Sequence, residues 1–339
     1  MVAILVFPAW LLRVSPLAKA RLAHTELDKY LRSTIQVERE VLDSSGGVAS
    51  RRLSGSLMQT LLKSSYDAAQ EKQQQQKGAP SEPRRNRAFT DSEVLGNLFI
   101  YLPAGYETTA NAIAYGLIVL ALEPEIQRHI AAEVDDVWSQ AAMEGRSELT
   151  YQFDFSRLQY MYGFMLYPGV TLITKMCHTA QPICVGNISH ILPPGCRVYL
   201  SAPGVHYSEN YWENPKELRP ERWSGAYSFS DKNTSSPAAA ANFAKSNAKP
   251  AAFAADKTRQ MRGTLLTFSD GARACLGRKF AQAEYMAFFS VLLRTFEVTF
   301  AEGVYRDQAR RDLNLKCAGK VTLAPLDGQR LVLKRRAGR

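Results

Sequence analysis

The chain has 339 residues, of which 46% are hydrophobic, and a formal net charge of +10; this is a globular composition with enough apolar material for a sizeable core, in one large or two ordinary domains. Five cysteines (Cys177, Cys184, Cys196, Cys275 and Cys317) stand at irregular spacing with no CxxC pair, which argues against a disulfide framework and a zinc site and points to a reducing compartment. The basic clusters Arg84-Arg85-Arg87 and Lys334-Arg335-Arg336 could attract anionic lipid or an acidic protein, but no nucleic-acid module accompanies them and solvated basic ends are the simpler reading.

The N-terminal run from Met1 to Leu12 is apolar, too short for a membrane span, and without a preceding basic region or a small-residue cleavage site, so it reads as packing surface rather than a signal. From Ser15 to Leu42 the apolar positions Leu17, Ala20, Ala23, Leu27, Leu31 and Ile35 recur at helical spacing among charges, predicting one or two surface helices. Ser44-Ser45-Gly46-Gly47 breaks that pattern, and Gln70 to Arg87, with its glutamine run and two prolines, reads as a solvated loop.

The stretch from Phe89 to Leu122 opens with Thr90 followed by Glu93, the spacing of a capping box, and continues apolar on nearly all sides. It predicts a long buried helix. A transmembrane helix is the competing reading, because Val94 to Leu122 holds one charged residue, Glu107; Asn97, Pro103, Thr108, Thr109 and Asn111 stand against it, as does the cost of an ionisable group in mid-span. Within this helix runs Ala104-Gly105-Tyr106-Glu107-Thr108-Thr109. Ala104 and Gly105 leave room beside a flat cofactor, while Glu107 and Thr108 offer an acid and a hydroxyl for proton delivery. Glu125 to Trp138 is then amphipathic through Ile126, Ile130, Val134 and Val137, with Pro124 suited to the first turn.

Gln181 to Ser201 alternates enough to predict a β-hairpin with its turn at Pro193-Pro194-Gly195. Residues 227–260, rich in Ala, Ser, Asn and Lys, read as a mobile insertion with little capacity to pack. Phe268-Ser269-Asp270-Gly271-Ala272-Arg273-Ala274-Cys275-Leu276-Gly277 directly precedes an amphipathic stretch from Arg278 to Phe296. Cys275 would therefore project from a glycine-shaped loop at a helix N-terminus, where the helix dipole, Arg273 and Arg278 favour thiolate over thiol. A buried structural cysteine is the alternative. Phe296 to Phe300, Val321 to Leu323 and Leu331 to Leu333 read as short terminal strands.

The ten-residue string resembles the haem-binding signature of the cytochrome P450 family, F-x-x-G-x-R-x-C-x-G, at every specified position, and Ala104 to Thr109 is similar to the family's second signature, [AG]-G-x-[DE]-T-[TS]. The resemblance implies a mainly α fold with a small β portion: an incomplete cytochrome P450 fold built on a central long helix and a C-terminal haem-binding loop and helix. It implies Cys275 as the proximal thiolate on iron, with Arg273 on a haem propionate and Phe268 beside the sulfur. Gly271, Gly277, Ala104 and Gly105 would shape the cofactor site, Thr108 would serve the bound oxygen, and Glu107 would help relay protons. Lys175 lies where many relatives place an arginine for a propionate.

One departure stands out. In the family a helix reading L-x-Y-L continues through E-x-x-R to L-x-P; here Leu158-Gln159-Tyr160-Met161-Tyr162-Gly163-Phe164-Met165 joins straight to Leu166-Tyr167-Pro168. Glutamate and arginine are both absent, and about five residues, a little over one turn of helix, are missing. Glu125 to Arg128 and Glu82 to Arg85 spell the motif by chance. Arg222, in the P-E-R-[FW]-like run Arg219-Pro220-Glu221-Arg222-Trp223, would lose its usual partners, and an unpaired buried charge is costly.

By resemblance the chain divides into a helical lid-like region with flexible loops, 1–88, and the C-terminal haem-binding part of a cytochrome P450 domain, 89–339. Relatives begin with a membrane anchor and a sheet-forming region, so Met1 would start well inside that architecture and the chain would be a C-terminal portion of a monooxygenase. The implied reaction inserts one oxygen atom of dioxygen into a small apolar organic substrate, using haem b (iron protoporphyrin IX) and electrons from NADPH through NADPH-cytochrome P450 reductase. The insert-rich style and the R-P-E-R-W wording are similar to filamentous fungal members of secondary metabolism. The family's place is the cytosolic face of the endoplasmic reticulum membrane; with no evident anchor, this chain could be cytoplasmic with peripheral membrane contact. A non-catalytic remnant is the rival reading.

Overall fold

The computed structural model describes residues 17–44, 58–65, 89–165, 170–220, 263–315, 317–319, 323–325 and 329–338. The described chain is mainly helical with four small two-stranded antiparallel ladders. It separates into two compact units, Met1–Tyr106 and Glu107–Arg339. The N-terminal dozen residues, the glutamine-rich loop, Arg222 and the 227–260 insertion fall outside the described residues.

In the first unit, α1 (Leu17–Ser44) is one continuous helix. Leu31 and Ile35, one turn apart, are buried with Leu62 of the helical residues 58–65 (α2) and with Val94 and Leu98 of α3 (Asp91–Leu122). The spacing of those pairs places them on one face, which is why this stripe forms the small core. Arg39 of α1 forks onto the Asp91 carboxylate at the start of α3. The capping box is present: Glu93 N–H donates to Thr90 Oγ1 at 3.2 Å and Thr90 N–H to Glu93 Oε2 at 2.8 Å. The expectation of burial along the whole of α3 needs correction, because Ile100, Leu102 and Tyr106 are 45%, 46% and 79% exposed.

The second unit holds the main core. α3 turns through 112° at Glu123 into α4 (Pro124–Met143), with Pro124 at the first helical position, where its missing N–H costs nothing. α4 ends in a Schellman turn: Arg146 N–H reaches Ala141 C=O, Gly145 N–H reaches Ala142 C=O, and Gly145 sits at φ +75°. Ile130, Val134 and Val137 of α4 are buried against Tyr285, Met286, Phe289 and Leu293 of α7 (Arg278–Thr295) and against the short α5 (Gln159–Phe164). No described helix is by itself long and apolar enough to cross a membrane.

Polar groups fix how these layers meet. Gln127, buried on α4, donates to Leu120 C=O and Val298 C=O and accepts the Val298 N–H at 2.6 Å. It thus ties α3 and α4 to β5 (Phe296–Phe300). Glu133 accepts the Tyr160 and Met161 N–H groups at 2.7 and 2.9 Å, capping α5; burial pushes its carboxyl up, and those backbone donors oppose the shift. Arg336, read from the sequence as part of a solvated basic end, is instead half-buried, paired with Asp135 at 2.6 Å and donating to Leu293 C=O.

Among the described residues the β portion is four ladders, and the region expected to form one hairpin contributes to two of them. β1 (Leu172–Met176) pairs with β4 (Arg197–Ser201), and between them β2 (Gln181–Val185) pairs with β3 (Ile188–Leu192). The hairpin turn is Gly186-Asn187, with Gly186 at φ +59°, as a type II′ turn requires of its first central residue. The predicted turn at Pro193-Pro194-Gly195 exists, closed by Cys196 N–H to Pro193 C=O with Gly195 at φ +81°, but it links β3 to β4, which have different partners. At the C-terminus β5 pairs with β8 (Leu331–Arg335), and β6 (Cys317–Gly319) pairs with β7 (Leu323–Pro325). Of the expected terminal strands, residues 296–300 and 331–333 lie in β5 and β8, while 321–322 fall outside the described residues and 323 begins β7.

Candidate functional site

The loop before α7 is folded by its own backbone. Leu266 C=O accepts Ser269 N–H at 3.1 Å, Ser269 and Gly271 take left-handed φ values of 59° and 79°, and Asp270 Oδ1 accepts Gly271 N–H at 2.7 Å. A single 3₁₀ turn, Gly271–Arg273, follows. Cys275 N–H then donates back to Phe268 C=O at 2.9 Å, closing the loop on itself. Cys275 C=O accepts from Arg278, the first residue of α7, and Gly277 is the N-terminal cap. The cysteine is thus held at the positive end of an 18-residue helix.

Every residue from Asp270 to Phe280 is exposed, among them Cys275, Leu276 at 73% and Phe280 at 74%. Two large apolar side chains beside a free thiol form a surface suited to a flat apolar group. Gly277 sharpens the point. Its φ of −82° is open to any residue, and a Cβ there would meet no protein atom within 4 Å. Neither φ nor a neighbouring atom constrains residue 277, so beyond the preference for glycine over alanine at a helix cap, the space above the start of α7 is left open. Gly271, by contrast, needs glycine for its positive φ. Phe268 is half-buried against the core, with the Arg278 guanidinium 5.9 Å from its ring centre, and Arg273 is exposed on the 3₁₀ turn.

On α3, Ala104 and Gly105 are exposed, and a Cβ at Gly105 would also meet nothing within 4 Å. Glu107 and Thr108 are half-buried. Roughly two turns further along, about 12 Å of rise, α3 packs on α7 at Gly116, where an added Cβ would come 2.5 Å from the Tyr285 hydroxyl and 2.8 Å from the Phe289 ring. Gly116 therefore sets how closely the helix bearing Glu107 and Thr108 approaches the helix that follows Cys275. Sequence reading missed it, because a lone glycine in an apolar helix has no local signature.

Two further side chains reach the loop. Lys175 Nζ on β1 lies 3.2 Å from Ser269 Oγ and 3.5 Å from Asp270 C=O, so it engages the loop in this structure. His206, the last residue of α6 (Ala202–His206), accepts the Leu266 N–H on Nε2 at 2.8 Å. Burial depresses its pKa from 6.5 to about 4. α5 carries neither glutamate nor arginine, and Arg219 pairs with Glu217 at 2.5 Å.

The cytochrome P450 family model matches residues 1–315. The chain is 43% identical to cytochrome P450 monooxygenase prx9 of Penicillium rubens and 42% identical to cytochrome P450 monooxygenase ORF6 of Penicillium roqueforti, in both cases over 99% of this chain and 56% of the relative. It thus spans little more than half the length of these relatives. Its fold matches the crystal structure of cytochrome P450 CYP102L1 with a TM-score of 0.61 at 22% identity, covering 94% of this chain and 58% of that one. The cytochrome P450DA haem domain matches with a TM-score of 0.55 at 18% identity, covering 80% and 53%. A match that runs through nearly the whole chain, together with a complete cysteine-loop signature in the folded geometry just described, places this protein in the cytochrome P450 family.

Proposed function

We propose that this chain is the C-terminal part of a haem-thiolate monooxygenase, with Cys275 as the ligand to iron. The observation that carries the reading is the exposed Cys275 at the N-terminus of α7, its loop closed by Cys275 N–H on Phe268 C=O, beside a Gly277 with open space where a side chain would stand. When bound, iron protoporphyrin IX supplies the oxygen-activating chemistry that no side chain possesses. Cys275 would supply the sulfur ligand from the N-terminal end of α7. The exposed Leu276 and Phe280 would offer apolar surface to the porphyrin, and Arg273 would pair with a propionate. By the same resemblance Ala104 and Gly105 would leave space, Thr108 would offer a hydroxyl, and Glu107 would offer a carboxyl group for proton relay.

The substrate is a small apolar organic molecule, with NADPH-cytochrome P450 reductase as electron donor. Two relatives, both named monooxygenases, come from Penicillium species; a role in fungal secondary metabolism and a place at the cytosolic face of the endoplasmic reticulum are part of the same proposal. The division into a lid-like 1–88 and a haem-binding 89–339 belongs to the same proposal. A non-catalytic remnant is favoured by one observation, the six-residue α5 without glutamate or arginine.

Expressing the full chain, adding haemin, reducing and recording the carbon monoxide spectrum decides between them. A strongly red-shifted thiolate band that disappears in Cys275→Ser supports the enzyme. Absence of haem uptake by the wild-type chain sinks it.

A further inference from the structure

We infer that His206 is a positioning residue for the Cys275 loop: its neutral imidazole holds the Leu266 N–H, so that the β1–β4 ladder grips the loop on both sides of the turn that precedes the cysteine. The loop's geometry stands without haem, but its importance for chemistry rests on the assignment of Cys275 above.

His206 is rooted in regular structure. α6 follows β4 without a break, Ser201 Oγ caps it by accepting the Gly204 N–H at 3.1 Å, and β4 is paired with β1 along five residues. From that platform Nε2 takes the N–H of Leu266, a buried residue, at 2.8 Å. An imidazole nitrogen accepts only when it carries no proton, so the ring is neutral with its hydrogen on Nδ1. The other strand of the same ladder supplies Lys175, whose ammonium touches Ser269 Oγ and Asp270 C=O. Between these two grips lies the turn closed by Ser269 N–H on Leu266 C=O, and within it Phe268, whose carbonyl anchors the Cys275 N–H at 2.9 Å. A shift of Leu266 therefore moves the carbonyl that fixes the cysteine. Leu266 itself lies sixty residues from His206 in the sequence.

The test uses the full chain without haem and reads amide hydrogen exchange at Leu266 and Cys275, with Ile130 and Leu293 as core references. His206→Phe keeps a ring and removes the acceptor; it should speed exchange at Leu266 about tenfold and at Cys275 about threefold, with the references within about twofold of wild type. His206→Gln places a carbonyl oxygen near the lost nitrogen and should restore Leu266 to within about threefold. The inference is overturned if Leu266 exchanges as in wild type in the Phe variant, if the references accelerate equally, or if Gln behaves as Phe does. A measurement on wild type alone guards against a variant that does not fold: imidazole nitrogen shifts must show the proton on Nδ1 at neutral pH, and a proton on Nε2 overturns the inference. None of these readouts involves haem, so a failure of the haem assignment is seen separately in the carbon monoxide spectrum.

Discussion

Gly163 and Pro220 meet backbone to backbone: a Cβ added at Gly163 would stand 2.0 Å from the Pro220 carbonyl oxygen and 2.8 Å from its carbonyl carbon. The short α5, which lacks the family's glutamate and arginine, therefore rests directly on the Arg219-Pro220 segment. Gly163→Ala should cost about 3 kcal/mol or more, because neither neighbour is a side chain that can swing away. Gly116→Ala meets the Tyr285 hydroxyl and the Phe289 ring instead, and should cost less, about 1–3 kcal/mol. Urea unfolding of the two variants side by side checks the order; equal costs would refute the backbone argument.

Gly277→Ala separates folding from cofactor binding. With open space at Cβ and an ordinary φ, its stability should fall by less than about 1 kcal/mol, the small penalty of alanine at a helix cap. Haem uptake should fall about tenfold or more, because the methyl group occupies the face proposed for the porphyrin. Titration with haemin alongside urea unfolding gives both numbers. Uptake equal to wild type would remove the porphyrin from that face.

Gln127→Leu strips both hydrogen bonds from the backbone of Val298 and the one on Leu120 C=O. Losing a buried side-chain partner at three backbone groups should cost about 3 kcal/mol or more, and exchange protection should drop first along the β5–β8 ladder. A cost under about 1 kcal/mol would mean that water replaces the amide.

Acid sensitivity should centre on Asp154 and His206. Hydrogen bonds from Arg146, opposed by burial and joined by the Thr150 N–H, hold the fully buried Asp154 carboxyl below its ordinary value of 3.8. A depressed carboxyl contributes stability above pH 3.8, and that contribution disappears as pH falls through the lower, folded-state value. The His206 imidazole is depressed from 6.5 to about 4, so its contribution is complete above pH 6.5 and declines as pH falls from there towards 4. Urea midpoints between pH 3 and 7 should therefore fall in two stages. Asp154→Asn should remove the lower stage at a cost of about 3 kcal/mol at neutral pH, and His206→Gln should remove the upper one.

The amino-acid sequence by itself determined the elements whose signals are local. Thr90 and Glu93 announce a helix start because both partners of the capping box lie within one turn. Pro124 marks the next start, and the spacing of Ile130, Val134 and Val137 marks its buried face. The backbone hydrogen bonds within the run from Phe268 to Gly277 close between residues at most seven apart, so its turn is local, whereas the Lys175 contact on Ser269 comes from 94 residues away. Gly186-Asn187 was a readable turn signal, overshadowed by Pro193-Pro194-Gly195. What only the tertiary structure decided is which distant groups meet: Gln127 with Val298, Gly163 with Pro220, Gly116 with Tyr285, and His206 with Leu266. Such pairs leave no periodic trace in the chain, because one side chain serving a single far-off backbone group is satisfied only after the helices and ladders that carry both have packed.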